Sequence, residues 1–415
     1  MQDGARLVRD TRPWSQAGMS APPLTLVRNL PVLPYERPWI GGPQIDRIPV
    51  HGRICSGVGK RRCADAFPEA LLDGPRESLP GHYLYGGPLY HHFGHVLVDS
   101  IIRLWAYDPA VHTDGVIFPL VFLNVHPAHP EFFFEICRSF GIERDRIRII
   151  DTPTTVEAVH FAEPGSVLGA GPEPWYLERL ERVERFFLDR APADLKTYDR
   201  LFFGRRHLCS GSLMGESYFA SRLARRGFHA IQPERYPLPV QIRLLKAARE
   251  IVFTEGSAVH LTELTTALSA ERVTIILRRP GGDNALRPHL DARLSRPTDV
   301  VGRGSGLFRI HHQPEIKAGP NSLSYMVDPS AVYDGLVRLG YTEPGGFDLH
   351  DFVRAERIEQ AECVGTEPRH LATHIAQVAQ ERLKHGLTTP ELSETRPVLA
   401  WLRSQLPGRI TTKGA

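Results

Sequence analysis

The run Glu250-Ile-Val-Phe-Thr-Glu-Gly-Ser-Ala-Val-His260 decides the fold. Ile251, Val252, Phe253 and Thr254 suit a strand buried on both faces of a parallel sheet. The run breaks at Glu255-Gly256 into small residues that open a helix to about Leu268. Strands at 200–203, 228–231 and 272–277 alternate with helices at 216–226 and 240–248 around it. That order predicts a doubly wound parallel sheet. Its Glu255–Ala258 turn lies at a strand's carboxyl end, where open α/β sheets bind ligands. Gly256 lets the backbone approach a ligand closely. The N–H groups of Ser257, Ala258 and Val259 would face an anion there. Ser257 equally suits a plain helix cap. Glu255 suits a ribose or sugar hydroxyl better than a phosphate. Arg205 and Arg206 follow the 200–203 strand on the same rim and suit a pyrophosphate, a surface arginine pair being the plainer reading.

Upstream stands Gly86-Gly-Pro-Leu-Tyr-His-His-Phe-Gly-His-Val-Leu-Val-Asp-Ser-Ile-Ile-Arg-Leu-Trp105. Its glycine-rich turn runs into a helix ending near Asp108-Pro109, which places His92, His95, Asp99 and Arg103 within a sector of about 80°. Phe93, Leu97, Val98, Ile101, Leu104 and Trp105 fall on the opposite, core-facing side. A solvated stripe would carry Lys, Glu and Gln; this one carries imidazoles and a carboxylate at i,i+4 spacing. It suits a cleft wall where His92 or His95 orients Asp99. A metal held by His92, His95 and Asp99 ranks below that reading, because no further His or Cys cluster completes it. Strands at 24–32, 44–50 and 82–85 precede this motif, and strands at 115–123 and 146–150 flank a helix at 131–140 after it. A strand at 156–161 extends the sheet or forms its edge, and an amphipathic helix covers 173–190.

Composition sets bounds. The 415 residues are 42% hydrophobic and 23% charged with a net charge of +3, which argues against a nucleic-acid partner. Five scattered cysteines, Cys55, Cys63, Cys137, Cys209 and Cys363, form no C-x-x-C and read as reduced thiols of a cytoplasmic protein. No stretch could span a bilayer, and a peripheral association with the inner membrane face stays open. Arg278-Arg279, like Arg225-Arg226, could make a local anion site. Past Pro280 the pattern weakens to helices at 331–339, 349–360, 370–384 and 397–406.

Two stretches in this order resemble family 61 glycosyltransferases, including bacterial capsular-polysaccharide enzymes. The first is Tyr90-His-His-Phe-Gly-His-Val-Leu-Val-Asp99-Ser-Ile-Ile-Arg-Leu104. The second comprises Phe203-Gly-Arg-Arg206, Gly227-Phe228 with Pro233-Glu234, Gln241-Ile242 with Ala247-Ala248, and Glu255-Gly-Ser-Ala258. The likeness covers roughly residues 80–280. It implies a GT-B-like α/β architecture, two Rossmann-like domains facing a cleft, and inverting transfer from a nucleotide sugar to a saccharide or glycan. It also implies that Asp99 is the base and that Arg205 or Arg206 faces the donor diphosphate. Where relatives carry His-Gly-Ala, this chain has Glu255-Gly-Ser-Ala258, which leaves the donor open.

The expected organisation is a loose tail (1–22), an acceptor-side domain (23–192), a nucleotide-sugar domain (193–300) and a helical extension (301–415). Without an Asp-x-Asp handle, no metal or other cofactor is expected. Two rivals remain: another sugar-nucleotide enzyme such as a hydrolase or epimerase, and a non-catalytic sugar-nucleotide or glycan-binding subunit.

Overall fold

A computed structural model describes residues 6–9, 22–37, 40–43, 74–121, 129–313, 316–319, 321–365 and 368–385. The chain is mixed α/β, built on two sheets. The first half supplies β1 (Arg6–Arg9), β2 (Thr25–Arg37), β3 (Ile40–Pro43), β4 (Glu77–Tyr85), α1 (Phe93–His95) and β5 (Gly115–Pro119). It continues with α2 (Glu131–Ser139), β6 (Ile147–Ile150), β7 (Thr154–Phe161), the short pair β8 (Ser166–Val167) and β9 (Gly171–Pro172), and α3 (Pro174–Leu188). Its seven-stranded sheet runs β1-β2-β7-β4-β5-β6, with β3 added to β2. The strands from β7 to β6 are parallel, whereas β2 runs against β7.

The second half supplies β10 (Arg200–Phe203), α4 (Glu216–Ala224), β11 (His229–Ile231), α5 (Leu238–Ala247) and β12 (Glu250–Thr254). A 3-10 helix (Ser257–Leu264), β13 (Arg272–Ile276), α6 (Asp283–Asp291) and β14 (Asp299–Val301) complete the expected alternation. All five strands are parallel in the order β11-β10-β12-β13-β14. The chain leaves β10 in opposite directions, first to β11 and later to β12. The β10/β12 gap is therefore the sheet's topological switch point.

Alternation along these strands sorts side chains into two cores. Leu201, Phe203, Ile251 and Phe253 join a cluster that includes Leu84, Val96 and Leu97 of the first half, so one apolar core runs through both halves. Helix α3 carries much of the contact: Tyr176, Leu180, Val183 and Phe187 recur at helical spacing, are all buried, and α3 packs against α5. Phe202, Val252 and Ile276 face the other way, into a second cluster. That cluster is closed by α7 (Ser330–Arg338) and α8 (Leu349–Val364), and beside them lie the hairpin β15 (Leu307–Ile310) and β16 (Leu323–Met326) and α9 (Pro368–Lys384).

Several expectations need correction. The helix expected after the glycine turn is not continuous: α1 gives way to a π-turn (Val96–Ser100) and then to a 3-10 turn (Leu104–Ala106). The preceding glycine loop docks on it, with Ser100 Oγ donating to Pro88 O at 2.6 Å. A Cβ on Gly87 would sit 2.6 Å from Asp99 O, so only glycine permits that approach. The β-branched Val96, Val98, Ile101 and Ile102 further disfavour a regular helix. The polar stripe is split, with Asp99 and Arg103 buried while His92 and His95 keep access to solvent.

Of the two expected placements of β7, the structure has it continuing the sheet, between β2 and β4. Residues 6–9, expected in a loose tail, pair with the open edge of β2. The extension after 301 is not all helical, because it contains the β15–β16 hairpin, and it packs on the second sheet's own core. The helix expected to run to Leu268 is a 3-10 helix ending at Leu264. Cys209 and Cys363, read as reduced thiols, form a disulfide with a Cα–Cα distance of 5.1 Å. Sequence spacing hides this pair because α8 brings residues 154 positions apart together. Cys137 is a buried free thiol. Cys55, Cys63, the strand at 44–50 and the helix at 397–406 lie outside the described residues.

Two fully buried histidines set a pH limit on stability. His112 Nδ1 accepts the Asp108 N–H (3.1 Å), and His374 Nδ1 takes the Gln360 amide (2.7 Å), so both rings sit neutral. Burial, followed by neighbouring histidine charge, lowers His112 to about 3; burial chiefly lowers His374 to about 4. The unfolded chain therefore binds more protons than the native state below the ordinary imidazole value, so stability falls as pH drops. Chemical denaturation should show losses on the order of a few kcal/mol between about pH 6.5 and 4. A flat profile across that window would contradict neutral burial.

Candidate functional site

The two motifs meet where α1 and the π-turn pack against the 3-10 helix. His95 Nδ1 lies 2.8 Å from Asp99 Oδ2. The His95 side chain is 36% exposed and that of Asp99 only 11%, so the imidazole is the open member of the pair. Tyr90 stacks on the His95 ring at 4.7 Å and His92 meets it edge-on at 5.4 Å, which fixes the imidazole plane. With Nδ1 donating to the carboxylate, Nε2 carries the free lone pair.

Across the contact, residues three apart in a 3-10 helix eclipse one another, so Ser257, His260 and Glu263 form one row. Ser257 is not a cap; its Oγ lies 3.4 Å from His92 Nε2. A Cβ on Gly94 would come within 3.1 Å of His260 Cδ2 and 3.2 Å of Ser257 Oγ, so the motifs approach at a residue without a side chain. The N–H groups of Ser257 and Ala258 open the helix without an intrahelical acceptor. That of Val259, expected to be free, is bonded to Gly256 O at 3.2 Å.

Arg205 and Arg278 stand at the ends of β10 and β13 and are 8% and 7% exposed. Arg205 donates Nη2 to Ser210 O (3.2 Å), while its Nε has no hydrogen-bond partner. Arg278 donates Nε to Glu255 O (2.8 Å), while its Nη1 has none. Burial, then repulsion from Arg205 and Arg279, pushes Arg278 down to about 9. His92 keeps an exposed edge, yet partial loss of solvent and the charges of His95, Arg205 and Arg278 lower it to about 4. Positive charge is thus concentrated beside the His95–Asp99 pair. Buried cations with unused donors are costly without an anion, so the arrangement suits an anionic ligand.

Not every expected residue joins this site. Arg206 turns away and pairs with Glu362 of α8 at 3.1 Å. Glu255 is fully buried, and its oxygens take the N–H groups of Arg278 (3.1 Å) and Arg279 (3.0 Å) and Arg279 Nε (2.6 Å). A carboxylate so occupied holds the arginine turn rather than a sugar hydroxyl. Arg278 had appeared only as part of a basic pair; its strand-end position, one strand beyond Glu255, was the signal. Arg103 is fully buried over the Tyr85 ring (5.8 Å), with no hydrogen bond from its guanidinium, and feels Asp99 only as a neighbouring charge. No group of three or more His, Cys, Asp or Glu side chains among the described residues has a metal-binding arrangement. No helix among them is long and apolar enough to cross a membrane.

Gly256 is extended, so its backbone is open to any residue; the constraint is Arg205 Nη1, 2.3 Å from where a Cβ would stand. Gly256→Ala should push the guanidinium aside and weaken inorganic pyrophosphate binding about tenfold, roughly one hydrogen bond to a charged group. Calorimetric titration checks it; an unchanged Kd would mean that Arg205 does not hold the anion.

No family model and no curated protein matches the chain.

Proposed function

We propose that this chain is an inverting, metal-independent glycosyltransferase. It moves a hexosyl or pentosyl group from a nucleoside diphosphate-sugar to a saccharide or glycan acceptor in surface polysaccharide or capsule synthesis. The reading places it in the cytoplasm, at or near the inner membrane face, with two Rossmann-like halves meeting as in GT-B enzymes. One observation supports it: the His95–Asp99 pair connects through His92 to Ser257 and to two buried arginines with unused donors, Arg205 and Arg278, at the ends of parallel strands β10 and β13.

The chemistry follows from the sides of that contact. His95 Nε2 takes the proton of the acceptor hydroxyl while the oxygen bonds to the sugar's anomeric carbon from the face opposite the leaving group. The bond from that carbon to the diphosphate breaks, and the electron pair leaves with the diphosphate. Arg205, Arg278 and the N–H groups of Ser257 and Ala258 stabilise the growing charge. Asp99 holds Nδ1–H and stabilises the imidazolium, the part that Asp plays in a catalytic triad. The greater exposure of His95 supports it as the base and Asp99 as the orienting residue, the reverse of the expectation from sequence.

The test is product analysis by mass spectrometry after incubation with UDP-, GDP- and dTDP-sugars and saccharide acceptors. A glycoside product supports transfer, and free sugar would make the protein a hydrolase. Nucleotide binding without turnover would make it a non-catalytic subunit.

A further inference from the structure

The loop after β10 carries Arg205; one side is held by the His207–Glu234 pair and by Ser212 Oγ donating to Leu208 O, while the other rests on α8. Beyond Leu208 N–H, which returns to Arg205 O (2.8 Å), two side-chain tethers fix residues 206–210 to the last turn of α8. These are the Arg206–Glu362 ion pair at 3.1 Å and the adjacent Cys209–Cys363 disulfide. Further along, the loop is secured by backbone, through Gly211 N–H to Asn321 O (3.0 Å) and Met214 N–H to Ser324 O (2.9 Å). Residue 210, next to the disulfide, supplies the carbonyl that takes Arg205 Nη2. A continuous path thus runs from Cys363 through Cys209 and the Ser210 carbonyl to the guanidinium lying over Gly256.

We propose that the Cys209–Cys363 disulfide is a redox-modification site that a dithiol reductant opens, releasing the loop and disarming the Arg205 anion site. Both cysteines are only partly buried, so a thiolate can reach them, unlike Cys137 within α2. Attack by one thiolate of the reductant on a cystine sulfur breaks the Sγ–Sγ bond and forms a mixed disulfide. The second thiol then displaces the protein sulfur. The reductant closes to its own disulfide, and Cys209 and Cys363 each end with a proton. Afterwards the partly exposed Arg206–Glu362 pair remains to tie 206–210 to α8 and the His207–Glu234 pair to hold its other side, and such exposed pairs hold weakly. The functional consequence rests on the anion-site reading above. In a cytoplasmic protein a disulfide of this kind is transient rather than structural.

The experiment compares oxidised protein with protein reduced by dithiothreitol, each verified as folded by far-UV circular dichroism. Amide exchange across 206–210 and calorimetric binding of inorganic pyrophosphate are the two readouts. Reduction should speed exchange in 206–210 and weaken pyrophosphate about tenfold, with reoxidation restoring both. Cys209→Ser and Cys363→Ser should behave as reduced protein in either condition, while Cys137→Ala keeps the response. Equal exchange in both redox states overturns the clamp. Faster exchange on reduction with equal pyrophosphate affinity overturns its control of the site. Faster exchange with no pyrophosphate binding in either state upholds the clamp and overturns the anion-site reading instead.

Discussion

His95→Gln lowers turnover by about two to four orders of magnitude while leaving nucleotide affinity nearly unchanged, the loss expected when a general base is removed. The glutamine amide cannot take the acceptor proton, yet it fills the same space beside Tyr90. Asp99→Asn should act through the same step. Its amide would donate to His95 Nδ1, shift the ring proton to Nε2, and leave no lone pair facing the acceptor. Because the two residues serve one proton transfer, Asp99→Asn combined with His95→Gln should cost little more than either change alone. Single-turnover rates decide between the assignments. If His95→Gln keeps most of its activity and Asp99→Asn loses it, Asp99 is the base and the imidazole only a neighbour.

The second large effect lies on the arginine side. Arg205→Ala and Arg278→Ala should each weaken nucleoside diphosphate binding by about ten- to a hundredfold, the range for hydrogen bonds to a charged group. Arg206→Ala should change affinity by less than about threefold, because its guanidinium is spent on a part-exposed pair with Glu362. Melting temperatures must accompany the binding data, since Arg205 and Arg278 are buried and part of any loss could be structural. Equal losses for Arg205 and Arg206 would mean that the loop as a whole, rather than the inward guanidinium, makes the site.

Much of this arrangement was legible in the chain. The β10-to-β13 alternation could be read because β12 and β13 are near-continuous apolar runs and Gly227 and Pro237 punctuate the helices between them. The rim position of Arg205 and of the Glu255–Ala258 turn followed from the same order. Features that depend on contacts far apart in sequence were hidden. Nothing local distinguishes Arg205 from Arg206; Glu362 on α8 separates them. Glu255 looked like a ligand contact because its partners, Arg278 and Arg279, arrive from the next strand. The π-turn at Val96 was masked by helical periodicity, because the close approach of Gly87 to Asp99 O depends on how the glycine turn folds back. Cys209 had no visible partner until α8 folded over the β10 loop.

The central claim is that the His95–Asp99 pair and the Arg205–Arg278 pair belong to one site. Histidine ring resonances followed by NMR during titration with a nucleoside diphosphate test it most directly, without knowledge of the sugar. Anion binding beside Arg205 and Arg278 should move the His92 and His95 signals and raise the apparent pKa of His92 toward its ordinary value, because bound negative charge offsets the neighbouring cations. His112 and His374, buried elsewhere, should not respond. Saturating nucleotide that leaves His92 and His95 unmoved would show that the two halves of the proposed site do not meet.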